Sequence, residues 1–203
     1  MAPSPRSANP VFVALDTVDL DRALGWARAV RAHVGGVKLG MEFVNAQGPA
    51  GIARVVETGA PVFLDLKFHD IPNTVAGAVR AVASLGVAIL NVHASGGRAM
   101  MQAALAAADQ VVRLARLTQD SGLDGVVCSP QEIAGLRTAC GPGFSLVVPG
   151  VRPAGSATGD QKRVMTPRQA RDLGADILVI GRPITQADDP AAAAAAIAGD
   201  LAG

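Results

Sequence analysis

Asp65, Lys67 and Asp70 stand directly behind Pro61, Val62, Phe63 and Leu64, an apolar run. Ionisable groups are rarely buried unless they are paired or used. Three of them at the end of an apolar strand therefore point to a site, against the plainer reading of a solvated strand end with one local salt bridge. A fourth, Lys38, ends another apolar run. Two cations and two anions gathered in one pocket compensate each other where water is excluded. A lysine held that way can deliver a proton to carbon, and an aspartate beside it can repel a substrate carboxylate or orient the lysine.

A strand has to aim these groups. Side chains two apart on a strand share a face. With Leu66 and Phe68 turned toward covering helices, Asp65 and Lys67 face together into whatever the strand encloses, and Pro72 cannot continue it. Other apolar runs at 11–15, 35–39, 87–94, 125–128, 144–148 and 177–180 also read as strands. Helical patterns lie between them. Asp19 caps a helix through Ala23, Leu24, Trp26, Ala27 and Val30, with Trp26 packed on the sheet. A weaker helix covers about 49–58, and another runs through Val75, Ala78, Val79, Val82 and Leu85 to Gly86. Ser129 and Pro130 open a further one with Glu132 in its first turn, Thr166 and Pro167 open the next, and a nearly all-alanine helix starts at Pro190. On the fourth strand Asn91, His93 and Ser95 share a face, where His93 reads as a satisfied core histidine rather than a catalytic one.

Strands alternating with helices imply a parallel sheet covered by helices. Asp16, Lys38, Asp65, Lys67, Ser95, Ser129, Arg152 and Arg182 all fall at or just past the C-terminal ends of their strands. That is the layout of a TIM (β/α) barrel; a doubly wound open sheet would gather its ligands at one crevice instead. Beyond the strand at 144–148, Arg152 leads into a glycine-rich polar loop containing Gln161, and the last strand ends in Gly181 and Arg182. Backbone N–H groups and guanidinium forks of this kind grip phosphate, and in barrels the phosphate site often follows the last two strands.

Composition fits one domain over 11–203 behind a disordered lead over 1–10. The 203 residues are 50% hydrophobic, enough for a large core. Eighteen basic and 17 acidic residues leave a net charge of +1, without the basic runs that bind nucleic acid or acidic lipid. Cys128 and Cys140 are too few and wrongly spaced for a zinc site or a disulfide framework, so both are expected as reduced thiols. No apolar stretch reaches the ~18 residues of a membrane span, and no signal-type apolar region precedes residue 10. A soluble cytoplasmic protein with no nucleic-acid or membrane partner is expected.

The segments DLKFHDIPNT (65–74), NVHASGG (91–97), DGVVCS (124–129), PGVRP (149–153), GDQKRVMTP (159–167) and VIGRPIT (179–185) together resemble bacterial orotidine 5′-phosphate decarboxylases, over nearly the whole chain. The resemblance implies a cofactor-free, metal-free decarboxylation of orotidine 5′-monophosphate to UMP in a homodimeric barrel. It implies that Lys67 protonates C6, that Asp65 lies against the departing carboxylate and that Lys38 completes the charge array. Asp70 and Thr74 would reach into the neighbouring subunit's site, Asp16 would contact the ribose, and Arg152, Gln161, Gly181 and Arg182 would hold the phosphate.

One feature departs from that family. Its barrels have eight strands and this sequence shows seven; between the fourth strand and Gly125 there is only a long alanine-rich pattern over 98–121, where Gln110 runs straight into Val111. As a single helix it would be ~36 Å long, beside strands of ~17–20 Å. A fifth strand, with the Thr or Ser that relatives present to the pyrimidine, has no counterpart in this sequence: either the chain lacks it, or the sequence closes over an omitted segment at Gln110 and Val111. Two other readings therefore stay open: a catalytically impaired phosphate-binding homologue, and a magnesium-dependent sugar-phosphate decarboxylase or aldolase of the same superfamily. Against the latter, Lys38 stands where metal-using relatives have an acidic residue.

Overall fold

The computed structural model describes residues 9–70, 78, 81–82, 85–93, 119, 123–153 and 165–202. Most of the helical patterns over 75–85 and 98–121, together with Thr74, Ser95 and Gln161, lie outside the described residues. The strands are β1 (Val11–Ala14), β2 (Gly36–Gly40), β3 (Val62–Phe68), β4 (Ile89–Val92), β5 (Gly125–Val127), β6 (Ser145–Pro149) and β7 (Ile177–Ile180). They pair in the order β4-β3-β2-β1-β7-β6-β5, and every pair is parallel. The helices are α1 (Leu20–Val30), α2 (Met41–Val56), α3 (Ile133–Cys140), α4 (Pro167–Asp172), α5 (Arg182–Thr185) and α6 (Pro190–Ala202). This is a nearly closed TIM-type barrel. Among the described residues no pairing joins β4 to β5, which is where the missing strand would stand.

The two-residue period of the strands sorts the core into two shells. Val11, Val13, Val37, Leu39, Val62, Leu64, Leu146, Val148, Leu178 and Ile180 face the helices, whereas Phe12, Ala14, Phe63, Val147, Ile177 and Val179 fill the barrel. Gly36 makes the interior possible. A Cβ there would run into the ring of Phe12 and come within 2.5 Å of the Pro61 carbonyl oxygen. The N-terminal end is stapled by Arg137, whose guanidinium donates to the carbonyls of Gly141, Phe144 and Gly174 and pairs with Asp176 at 2.6 Å.

Helix α1 follows its sequence pattern. The Asp19 side chain accepts from the Arg22 N–H at 3.0 Å, and Ala23, Leu24, Ala27 and Val30 are buried. Trp26 packs half-buried on the same core, with the Arg22 guanidinium 5.4 Å from its ring centroid. Helix α2 begins earlier than the pattern suggests. It starts at Met41, breaks at Gly48 (φ 60°) and resumes at Pro49, because the burial of Phe43 ties down a first half that the Gly-Pro pair hides from periodicity. The turn after Ser129 is 3₁₀ over Pro130–Glu132, and α5 had no signal in the sequence beyond its proline. Of the expected lead, Asn9 and Pro10 are anchored: Asn9 donates to the His33 carbonyl at 2.7 Å, and the Leu178 N–H donates to the Pro10 carbonyl at 2.7 Å. Among the described residues no helix is long and apolar enough to cross a membrane.

Overpacking the interior is costly even by one methyl group. Gly36→Ala is expected to lower stability by roughly 1–3 kcal/mol, read as a lower urea midpoint at an unchanged m-value.

Candidate active site

The C-terminal ends of β1, β2 and β3 bring two ion pairs together. Lys38 points inward from β2, is 8% exposed, and its Nζ lies 2.7 Å from Oδ1 of Asp16, just past β1. On β3, Lys67 Nζ lies 2.5 Å from Oδ1 of Asp65. The pairs sit on either side of one seam: Gly40 is in register with Asp65, and a Cβ on Gly40 would stand 3.1 Å from Lys38 Nζ and 3.8 Å from Asp16 Oδ1. Gly181, past β7, crowds Asp16 from the other side, its own Cβ position being 3.8 Å from Oδ2. The expected array of Lys38, Asp65, Lys67 and Asp70 is thus built as two pairs, with Asp16 as the partner of Lys38. Asp70 is exposed beyond the end of β3.

Leu66 and Phe68 pack toward the helix-side core, so Asp65 and Lys67 do face away from the helices. The strand is not regular, however. Leu64 pairs with Leu90 and Phe68 with Val92, four steps on β3 against two on β4. Inside this bulge Lys67 adopts φ 50°, the one positive-φ residue other than glycine among those described. Asn91 on β4 fills the gap: its Oδ1 accepts from the Lys67 backbone N–H at 2.7 Å, and its Nδ2 donates to Asp65 Oδ1 at 2.7 Å. Sequence reasoning placed Asn91 on the right face but gave it no task.

His93 differs from its expectation. It is exposed rather than buried, and its ring stacks on that of His69 with centroids 5.1 Å apart and planes at 17°. Both rings stand at the mouth of the barrel because β3 and β4 end side by side.

On the opposite side, Arg152 follows β6 and is 6% exposed, with its backbone N–H on the Met165 carbonyl at 3.0 Å. Gly181 and the exposed Arg182 begin α5, and Thr74 and Gln161 lie outside the described residues. Ser129, read from sequence as a strand-end polar residue and a helix start, stands just past β5 with a buried Oγ that has no hydrogen-bond partner among the described residues. Its neighbour Cys128 is inert by contrast. Burial, and then the nearby Glu132 carboxylate, push its thiol from 9.0 up to about 12, with Arg137 opposing.

Charged side chains collected at the C-terminal ends of adjacent strands define the active-site face of a (β/α)-barrel enzyme. The model of the orotidine 5′-phosphate decarboxylase / HUMPS family matches residues 9–113 and 106–197, and the chain belongs to that family. It is 52% identical to an orotidine 5′-phosphate decarboxylase of Rhodospirillum rubrum over 234 residues, covering 96% of this chain and 95% of the relative. Against the enzyme of that name from Paramagnetospirillum magneticum the identity is 48% over 231 residues, covering 95% and 98%. The crystal structure of orotidine 5′-phosphate decarboxylase from Lactobacillus acidophilus superposes with a TM-score of 0.83 at 33% identity, covering 96% of this chain and all of that one. The alignment to the R. rubrum relative spans 234 positions against 203 residues, so at least 31 positions have no counterpart here. The two family matches overlap at 106–113, around the junction of Gln110 and Val111, in the sequence between β4 and β5.

The thiol pKa sets a test of the β5 end. Cys128 should resist alkylation at pH 8 in the native protein and react once urea unfolds it. Because the unfolded thiol ionises near 9.0 and the folded one near 12, the native state retains the proton longer, and this contribution to stability is lost as pH rises from 9 to 12. Removing the thiol by Cys128→Ala should flatten that part of the stability profile, measured by urea titration at each pH.

Proposed function

We propose that this chain decarboxylates orotidine 5′-monophosphate to UMP, with Lys67 as the proton donor. The observation that carries the reading is the Asp65–Lys67 ion pair at the mouth of β3, in a chain of this family. Loss of CO₂ breaks the bond between C6 and the carboxylate carbon and leaves the electron pair on C6. An ammonium fixed beside C6 stabilises that developing charge more than it stabilises the substrate, which is what lowers a barrier. The Lys67 ammonium then gives its proton to C6, forming UMP, and regains one from water. Asp65 holds the lysine in place and, lying against the substrate carboxylate, disfavours the ground state.

The remaining roles are those that the resemblance to the family implies. Lys38, buried and paired with Asp16, adds a second fixed cation beside the first, and Asp16 offers its exposed oxygens to the ribose. The Arg152 guanidinium, the backbone at Gly181, Arg182 and Gln161 hold the phosphate, and binding energy from that remote group is available to position the reacting carbon. The protein acts as a homodimer in which Asp70, exposed past β3, and Thr74 reach the neighbouring site.

A second reading has one observation in its favour. With no pairing between β4 and β5 among the described residues, a protein that binds nucleotide without turning it over is the alternative. The assay that decides is loss of orotate absorbance on incubation with orotidine 5′-monophosphate, with UMP binding measured on the same sample. Turnover supports the decarboxylase; UMP binding without turnover supports the impaired homologue. In a turning-over protein Lys67→Ala should lower kcat by at least ~10⁴-fold with UMP affinity kept within about tenfold, and a near-parental rate would refute the role of Lys67. For the shared site, mixing Lys67→Ala with Asp70→Ala protein should recover activity toward a quarter or so of the parental level in exchanged dimers, since one of the two sites in a mixed dimer is then free of both lesions. No recovery after proven subunit exchange would place Asp70 in its own subunit's site.

A further inference from the structure

We infer that Asn91 is a positioning residue for the reaction, the brace that holds the catalytic lysine and its carboxylate in register; this rests on the decarboxylase reading above. Asn91 is the side chain that reaches both members of the pair, accepting from the Lys67 backbone N–H and donating to Asp65 Oδ1, each at 2.7 Å. These contacts come from the neighbouring strand, so they are independent of the β3 backbone they constrain. That backbone needs constraint: at φ 50° a lysine occupies a region that L-residues with a long side chain rarely adopt. Such a conformation persists where surrounding structure over-determines it.

The chemistry of the amide matters as well as its reach. Only a side chain with both an acceptor and a donor can serve an N–H and a carboxylate together. The Asp65 oxygen that accepts from Asn91 is the same Oδ1 that accepts from Lys67 Nζ. Asn91 therefore fixes which oxygen and which rotamer of Asp65 meet the ammonium, and its second contact fixes the origin of the Lys67 side chain. Loss of the brace lets the φ relax and carries the ammonium away from the reacting carbon. A misplacement of about 1 Å costs on the order of 10²-fold in rate.

The test compares Asn91→Ala with Asn91→Asp, which is nearly isosteric but brings a second carboxylate against Asp65. For Asn91→Ala, kcat should fall by on the order of 10²-fold, while KM, UMP affinity and melting temperature stay near parental values, the split expected of an interaction that acts in the transition state. Asn91→Asp at pH 8, where the introduced carboxylate is ionised, should be no faster than Asn91→Ala. A parental kcat in Asn91→Ala, restoration of kcat by Asn91→Asp, or a parallel loss of UMP binding would each overturn the inference, because a space-filling or binding role predicts those results. Should Asn91→Ala fail to fold, the isosteric variant decides alone. If the parent protein shows no turnover, the decarboxylase reading fails separately, and crystal structures of the variants decide here. Lys67 released to negative φ supports the brace, and Lys67 unchanged at φ 50° with its ion pair intact refutes it.

Discussion

The site depends on β3 advancing four residues while β4 advances two. A regular parallel pair would keep the two strands in step and carry Lys67 past the end of β4 on a smooth ladder. The bulge instead takes up two extra residues of β3 between Leu64 and Phe68, and within it the ammonium of Lys67 meets the carboxylate of Asp65 two residues earlier. Side chains two apart on a flat strand are about 7 Å apart at their origins, and the compressed bulge helps a direct bond to form. The unusual φ of Lys67 is the local cost of that geometry, offset by hydrogen bonds from β4.

The two lysines at the mouth each have their own anion. Lys38 with Asp16 and Lys67 with Asp65 are separate pairs, with side-chain exposures of 10% and 58% in the first and 45% and 17% in the second. The asymmetry is instructive. In one pair the lysine is sunk and the aspartate is open, and in the other the aspartate is sunk and the lysine is open. A desolvated charge is tolerated when its partner can still reach solvent or a ligand. The mouth thus presents one open carboxylate on β1 and one open ammonium on β3. A polyhydroxyl group can bond the first, and a centre gaining negative charge can be met by the second.

The facing of Asp65 and Lys67, the strand ends and the caps at Asp19 and Thr166 were legible because they follow from period and residue type. The shortfall against the R. rubrum relative was legible too, since a helix pattern longer than any strand it could cover does not belong to one βα repeat. The bulge was not: a strand with two extra residues has the same composition as a regular one, and only pairing with β4 reveals the mismatch. For that reason Asn91 had a face but no partner, and His93 was read as core although it stands exposed at the mouth; the pairing of Lys38 with Asp16 was not foreseen either. The start of α2 was hidden for a different reason. Periodicity fails at Gly48 and Pro49, while the burial of Phe43 that secures the first half is a tertiary fact.

The brace and the missing unit meet on the same strand. β4 pairs with β3, and among the described residues it has no strand on its other side. A strand with ladders on both sides opens only with the barrel, whereas one held from a single side can fray at lower free energy. Asn91 therefore couples the geometry of the Lys67–Asp65 pair to the stability of this strand. The alignment to the R. rubrum relative holds at least 31 positions with no counterpart here, enough to supply a strand and its connection. A strand seated beside β4 would stiffen the strand from which Asn91 reaches Lys67 and Asp65, so the stability of this edge and the geometry of the ion pair are linked through one side chain.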